Sequence, residues 1–316
     1  MHSPMNRRQF LAASAGLAAT LGGCATSSSS SSSAAGIIDT HTHFYDPARP
    51  QGVPWPPKGD AVLYRPILPD EFARLTRPLG VAGTVVVEAS TLEEDNQWLL
   101  DHAAKGPPIL GVVGHLKPAR PGFAEQLVRF TRNPLFRGIR AGTWEGPLKP
   151  GDATTMSNLR LLSDRDLGLD VNVGTAGLAS IAAIATALPD LRIIINHCAN
   201  VRIDGQAPPA EWLAGLSVCA KHRNVFMKGS GLVEGTGRSK GDAPADVAFY
   251  KPTLDAIWER FGDDRVVFGS NWPVSLRFAG YDTVLGIVRA YAESRGPSAS
   301  AAYFSGNAKR VYHVRS

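Results

Sequence analysis

Eight short apolar runs, the helix-forming segments that alternate with them, and histidine and charged side chains at the far ends of the runs predict an α/β fold, a (β/α)8 TIM barrel. The runs are GIIDTHTH (36–43), GTVVVEAS (83–90), ILGVVGHL (109–116), FRGIRAG (136–142), LDVNVG (169–174), RIIINHC (192–198), NVFMKGS (224–230) and RVVFGSN (265–271). Each is rich in Val, Ile or Phe and nearly continuous in apolar character, as strands buried on both faces require. Between them EDNQWLLDHAA, NLRLLSDRD and LASIAAIATAL read as helices, the last stopped by Pro189. The competing architecture, an open doubly wound sheet, lacks the Gly-rich GxGxxG turn after any strand. No internal repeat is evident.

The barrel accounts for residues 36–316, and the N-terminus reads differently. Arg7 and Arg8, then Phe10 and Leu11, then an apolar run with small residues to Gly23 form a twin-arginine export signal over 1–24. The run is too short and too rich in Gly and Ala to stay in a bilayer as a permanent span. Leu21-Gly22-Gly23-Cys24 resembles a lipoprotein processing site, with cleavage at another small residue as the alternative. A Ser-rich tether follows over 25–35. The expectation is a periplasmic protein that meets the membrane only through a lipid on Cys24. Cys198 and Cys219 remain for the mature domain and read as reduced, buried small hydrophobes.

With 316 residues, 44% hydrophobic and 19% charged, the chain suits one large domain. Its net charge is +5 and its pI about 9.2, but the 33 basic residues are scattered, which argues against nucleic acid. The mild positive field suits a small anionic or sugar-derived substrate.

In such a barrel the C-terminal strand ends face the active site. Asp39, His41 and His43 gather there on the first strand, Glu88 on the second and His115 on the third. Arg140, His197, Lys228 and Asn271 continue the ring. Alternation places His41 and His43 on one face, where two imidazoles are ready metal ligands or proton carriers, and His197 can complete a three-histidine site. Arg140, Lys228 and Glu88 are the candidate substrate-binding residues, the two cations to hold a carboxylate, with a structural ion pair as the alternative for either cation, to Glu88 in the case of Lys228. Tyr45, Trp144 and Trp272 are either apolar walls of the pocket or plain packing.

The ordered set IIDTHTHFYDP, FRGIR, RIIINHCAN, VFMKGSGL, FGDDRVVFGSNWPV and GNAKRVY resembles the amidohydrolase-related (amidohydrolase 2) family over residues 36–313, in particular its branch of TIM-barrel metal-dependent hydrolases and sugar lactonases. The resemblance implies hydrolysis of a lactone of a sugar acid or similar ring ester by activated water. It matches His41 and His43 to the family's HxH pair and His197 to its later-strand histidine, the set that would hold a divalent metal, zinc above all. Branch members differ in whether they need metal, so metal-independent hydrolysis stays open. Asn271 departs from the pattern: it stands where characterised lactonases carry the Asp of a GSDWP-like turn. A neutral amide is a poor proton acceptor and a poor anionic ligand, although it can orient water or donate to an oxyanion. The base then comes from one of the three histidines or from Glu88. Two further readings remain: decarboxylation of an aromatic acid in the same barrel family, and an inactive ligand-binding barrel.

Overall fold

A computed structural model describes residues 36–143 and 146–314. The export signal, the Ser tether, Cys24 and Trp144 lie outside the described residues. Each of the eight apolar runs contains a strand: β1 Ile37–Thr42, β2 Val81–Val87, β3 Ile109–Gly114, β4 Phe136–Ala141, β5 Gly168–Val171, β6 Arg192–Ile195, β7 Val225–Gly229 and β8 Val266–Phe268. They pair in sequence order, every neighbour parallel. The ring is fastened between its first and last strands just beyond the end of β8. There the amide of His43 donates to Trp272 O and that of Asn271 to His41 O, each at 2.9 Å, and Thr40 Oγ1 donates to Phe268 O at 2.6 Å.

Helices fill the crossovers: α1 Pro69–Thr76, α2 Glu94–Ala103, α3 Phe123–Thr131, α4 Ala153–Ser163, α5 Leu178–Ala187 and α6 Ala210–Ala220. The one-turn α7 Leu232–Gly235 and α8 Val247–Phe261 both lie between β7 and β8, and α9 Tyr281–Ser294, α10 Pro297–Ala301 and α11 Asn307–Tyr312 end the chain. The sequence places α4 too late. It begins at Ala153 because Asp152 caps it, accepting from the Thr155 amide at 2.8 Å. Among the described residues no helix is long and apolar enough to cross a membrane.

Burial divides into two shells. One lies between strands and helices, where Val86, Ile139 and Leu169 meet residues such as Phe72, Leu127 and Ile181. The other fills the barrel's lower interior: Ile38, Val85, Val113, Ile194 and Val267 close on Val311 and Tyr312 of α11. Each such side chain, fully buried, contributes about 1.5–3 kcal/mol. The closing GNAKRVY segment is thus a plug under the barrel, pinned where Arg192 Nε donates to Val311 O at 2.9 Å.

A β-bulge in β1 aims the histidines. Asp39 pairs with Thr84 and Thr42 with Val86, so three steps along β1 match two along β2. Below the bulge Ile38 points into the barrel; above it His41 and His43 do. Asp39, which the sequence gathers with the histidines at the end of the first strand, turns towards α9. Its Oδ1 accepts from the amides of His41 and Ser270, each at 3.0 Å, and its Oδ2 from Tyr281 Oη at 3.1 Å.

Candidate active site

His41, His43 and His197 meet at the C-terminal mouth of the barrel. Their ring centroids are 5.0 Å apart for His41 and His43 and 4.4 Å for His41 and His197. Two glycines make the room. A Cβ on Gly269 would lie 2.7 Å from His41 Cβ, and one on Gly231 would lie 2.7 Å from His197 Cβ. These approaches explain the glycines of GSNWP and KGSG.

His197 is presented by a left-handed turn. Residues 197–200 have φ of 52°, 50°, 53° and 49°, a conformation that costs roughly 1–2 kcal/mol at each L-residue. Several hydrogen bonds hold it. Ser230 Oγ meets both the His197 amide (3.2 Å) and its Nδ1 (3.0 Å), Trp212 Nε1 donates to Cys198 O (3.0 Å), and Asn200 Nδ2 donates to Asn172 Oδ1 (2.8 Å). Such overdetermined strain is typical of functional positions. Asn271 has φ of 59°, and asparagine is among the few side chains that accept this region.

All three imidazoles are neutral at neutral pH. Burial, then the Lys228 charge, pulls His41 well below the usual histidine range. Burial, then Arg140, lowers His43 to about 4. Burial, then Arg140, holds His197 well below as well. His43 Nδ1 lies 2.9 Å from Val87 O; a carbonyl only accepts, so Nδ1 carries the proton and Nε2 the lone pair. That lone pair faces Asn271 Oδ1 at 3.3 Å.

The cations are already engaged. Arg140 Nε donates to Glu88 Oε1 at 2.6 Å and its Nη2 to Glu88 O at 2.7 Å, leaving at most Nη1 for a substrate. Lys228 pairs with Asp170, not with Glu88. Its Nζ donates to Asp170 Oδ2 at 2.6 Å and to Thr40 O at 2.7 Å, while Tyr312 Oη and Asn196 Nδ2 also donate to Asp170, each at 2.9 Å. Wholly buried, this cluster forms a polar floor whose positive charge helps keep the imidazoles above it neutral. His115 sits at the end of β3, its backbone bracketed by the Asn96 side chain at 2.7 and 2.8 Å. Trp272 belongs to the core, against Phe44 and Phe72. The aromatic beside His43 is Trp55, 6.0 Å away, which stacks edge-on with Tyr45.

A cavity of about 360 Å³ opens beside the cluster, lined by His197, Arg202, Glu234, Asn271 and Val274 among others. Another, of about 390 Å³, lies beyond β4 against Ala141, Gly142 and Lys149 and carries none of the candidate catalytic residues. Glu234 was missed in the sequence. It stands on α7, accepts from Asn271 Nδ2 at 2.8 Å through Oε1, and its buried Oε2 has no hydrogen-bond partner. Burial raises its carboxyl to about 7. The available signal was an acid five residues after the end of β7, in the βα-region that builds barrel sites. Cys198 and Cys219 are free and buried, as expected, and burial pushes both thiols up to about 12.

The donor chemistry fits a divalent cation. Three neutral imidazoles offer lone pairs, and both ring nitrogens of His41 are buried without a hydrogen-bond partner. Among the described residues, no group of three or more His, Cys, Asp or Glu side chains is already drawn together as a ligand set.

Comparison with known proteins agrees with this geometry. An L-fucono-1,5-lactonase of Burkholderia ambifaria is 32% identical over 291 residues, which is 88% of this chain and 95% of that one. An amidohydrolase from Burkholderia multivorans, crystallised with bound zinc, superposes with a TM-score of 0.79 at 29% identity, covering 88% of this chain and 99% of the other. A 2,6-dihydroxybenzoate decarboxylase from Rhizobium shares the fold alone, with a TM-score of 0.63 at 16% identity and coverage of 88% and 98%. The amidohydrolase profile matches residues 38–314, nearly the whole barrel with its HxH strand and its Asn271 turn, and the chain belongs to the amidohydrolase family as a hydrolase.

Proposed function

We propose that the protein opens a lactone of a sugar acid, or a similar small ring ester, by activated water. One observation carries the reading: three neutral histidines, two buried and His197 half-buried, meet at the barrel mouth, and His197 lines a cavity of about 360 Å³ together with Asn271 and Glu234. That space suits a single-ring substrate. The likeness to an L-fucono-1,5-lactonase over nearly the full barrel supports a sugar lactone over an aromatic acid.

In this reading His197, whose Nδ1 is engaged with Ser230, has Nε2 left to join the histidine set beside the cavity. Arg140, fixed by Glu88, offers Nη1 to a substrate hydroxyl or carboxylate, and Lys228 acts from the floor through its field. His41, His43 and His197 would hold a divalent metal, zinc by preference; when bound, it supplies a Lewis acid for the carbonyl. Arg7, Arg8 and the apolar run that follows support export by the twin-arginine route, with Cys24 as the site of a lipid anchor.

The test is a panel of aldonolactones followed by proton release. The wild type opens at least one lactone well above the spontaneous rate, and His197→Ala removes the difference. Carbon dioxide release from hydroxybenzoates, with no lactone opened, would sink the proposal.

A further inference from the structure

Position 271 poses a chemical problem: the turn that carries it holds an amide, and ester hydrolysis by water needs a group to take a proton. The three imidazoles are committed elsewhere: they form the set that would hold a metal, with His43 Nδ1 on Val87 O and His197 Nδ1 on Ser230 Oγ. Glu88 is tied to Arg140 at 2.6 Å. One carboxylate remains in the cavity wall, on α7.

We propose that Glu234 is a catalytic residue, the general base and then general acid of the reaction, and that Asn271 is the positioning residue that holds it. Asn271 Nδ2 donates to Glu234 Oε1 at 2.8 Å, fixing one edge of the carboxylate. The other oxygen, Oε2, is buried and has no hydrogen-bond partner, an unfavourable condition that a reacting water relieves. Glu234, Asn271 and His197 line the same cavity. A carboxyl lifted to about 7 by burial is matched to proton transfer near neutrality.

The amide at 271 then has a reason. An aspartate there would set a second carboxylate 2.8 Å from Glu234, and two like charges at that distance do not both ionise. The acid free to react stands on α7 and not at the end of β8. Asn271 also joins Glu234 to the ring of His43, since its other end faces His43 Nε2 at 3.3 Å.

The step balances without a further reagent. Glu234 Oε2 takes one proton from water as the water oxygen bonds to the lactone carbonyl carbon. The tetrahedral intermediate collapses, the bond from that carbon to the ring oxygen breaks, and the departing oxygen takes the proton back from Glu234. The product is the open hydroxy acid, and the carboxylate is regenerated.

This inference rests on the lactonase reading, and the experiment separates the two. Glu234→Gln, Glu234→Ala, Asn271→Asp and the double variant Glu234→Gln/Asn271→Asp are compared with wild type on the lactone that the wild type opens, with circular dichroism to check folding. Glu234→Gln loses at least a hundredfold in kcat with little change in KM, in line with the 10²–10⁴-fold worth of general acid–base catalysis. Formate restores turnover to Glu234→Ala. The double variant, with its carboxylate returned to position 271, exceeds Glu234→Gln at least tenfold. A folded Glu234→Gln with wild-type kcat overturns the assignment and leaves the lactonase reading standing. A double variant no better than Glu234→Gln, together with no rescue by formate, also overturns it. A wild type that opens no lactone overturns both.

Discussion

His43 Nε2 and Asn271 Oδ1 face each other across 3.3 Å, although His43 has already placed its proton on Nδ1 for Val87 O. Two acceptors in contact are not a resting arrangement. They settle when a cation or a proton comes between them, or when the amide turns and donates Nδ2 to the imidazole. In the turned state Asn271 Oδ1 would meet Glu234, which must then be protonated. The orientation of one amide therefore reports the ionisation of the acid behind it.

Asn271 also matters through its backbone. At a φ of 59°, an alanine carries the left-handed penalty of roughly 1–2 kcal/mol and a glycine does not. Asn271→Ala is expected to be less stable than Asn271→Gly by about that amount in urea titrations, with both variants slow. Equal midpoints would show that the turn is unstrained.

The floor pair gives a larger effect. Removing one partner of a buried ion pair strands the other, typically at about 3–5 kcal/mol. Lys228→Met should lose that much, and Lys228→Met/Asp170→Asn should recover most of it, because Asp170 is the anion that Lys228 neutralises. Chemical denaturation of both variants checks this. A double variant no more stable than the single would mean that the cation serves something other than Asp170.

The raised Glu234 carboxyl predicts a pH dependence of definite sign. Its folded value is about 7 against an ordinary 4.5. Between these values the unfolded chain ionises while the folded protein keeps its proton, so Glu234 takes stability away as pH rises from 4.5 to 7, and no further above that. Relative to wild type, Glu234→Gln should therefore gain stability across this window and hold a constant advantage above it. Melting temperatures measured from pH 4.5 to 8 show the difference directly, and parallel curves would contradict the burial of the acid.

Metal occupancy is read without turnover. Zinc added to chelator-treated protein should raise its melting temperature through preferential binding to the folded state, and His41→Ala should abolish most of the rise. His41 is the decisive position because both its ring nitrogens are buried without a hydrogen-bond partner. An unchanged rise in His41→Ala would move the ion elsewhere.

The barrel was legible because its strands are buried on both faces and therefore read as nearly unbroken apolar runs, down to the three residues of β8. His41, His43, His197 and Asn271 were legible because each ends such a run. The partners of Lys228 and Arg140 were not, since a pairing across the barrel depends on register that no local pattern encodes. The direction of the Asp39 side chain was not legible, because it depends on a bulge just after it. Glu234 was hidden by its setting, a helix of four residues with no periodicity to announce it.

The closure of the ring has a consequence for the life of the enzyme. The peptide groups that fasten β1 to the end of β8 belong to His41, His43, Asn271 and Trp272, so the seam and the reacting side chains share the same residues. A breath that parts this seam, leaving the other seven strand pairings intact, dismantles the chemistry at once. A barrel with this seam open is thereby expected to be inert, with hydrolysis beginning only when the last stave has locked.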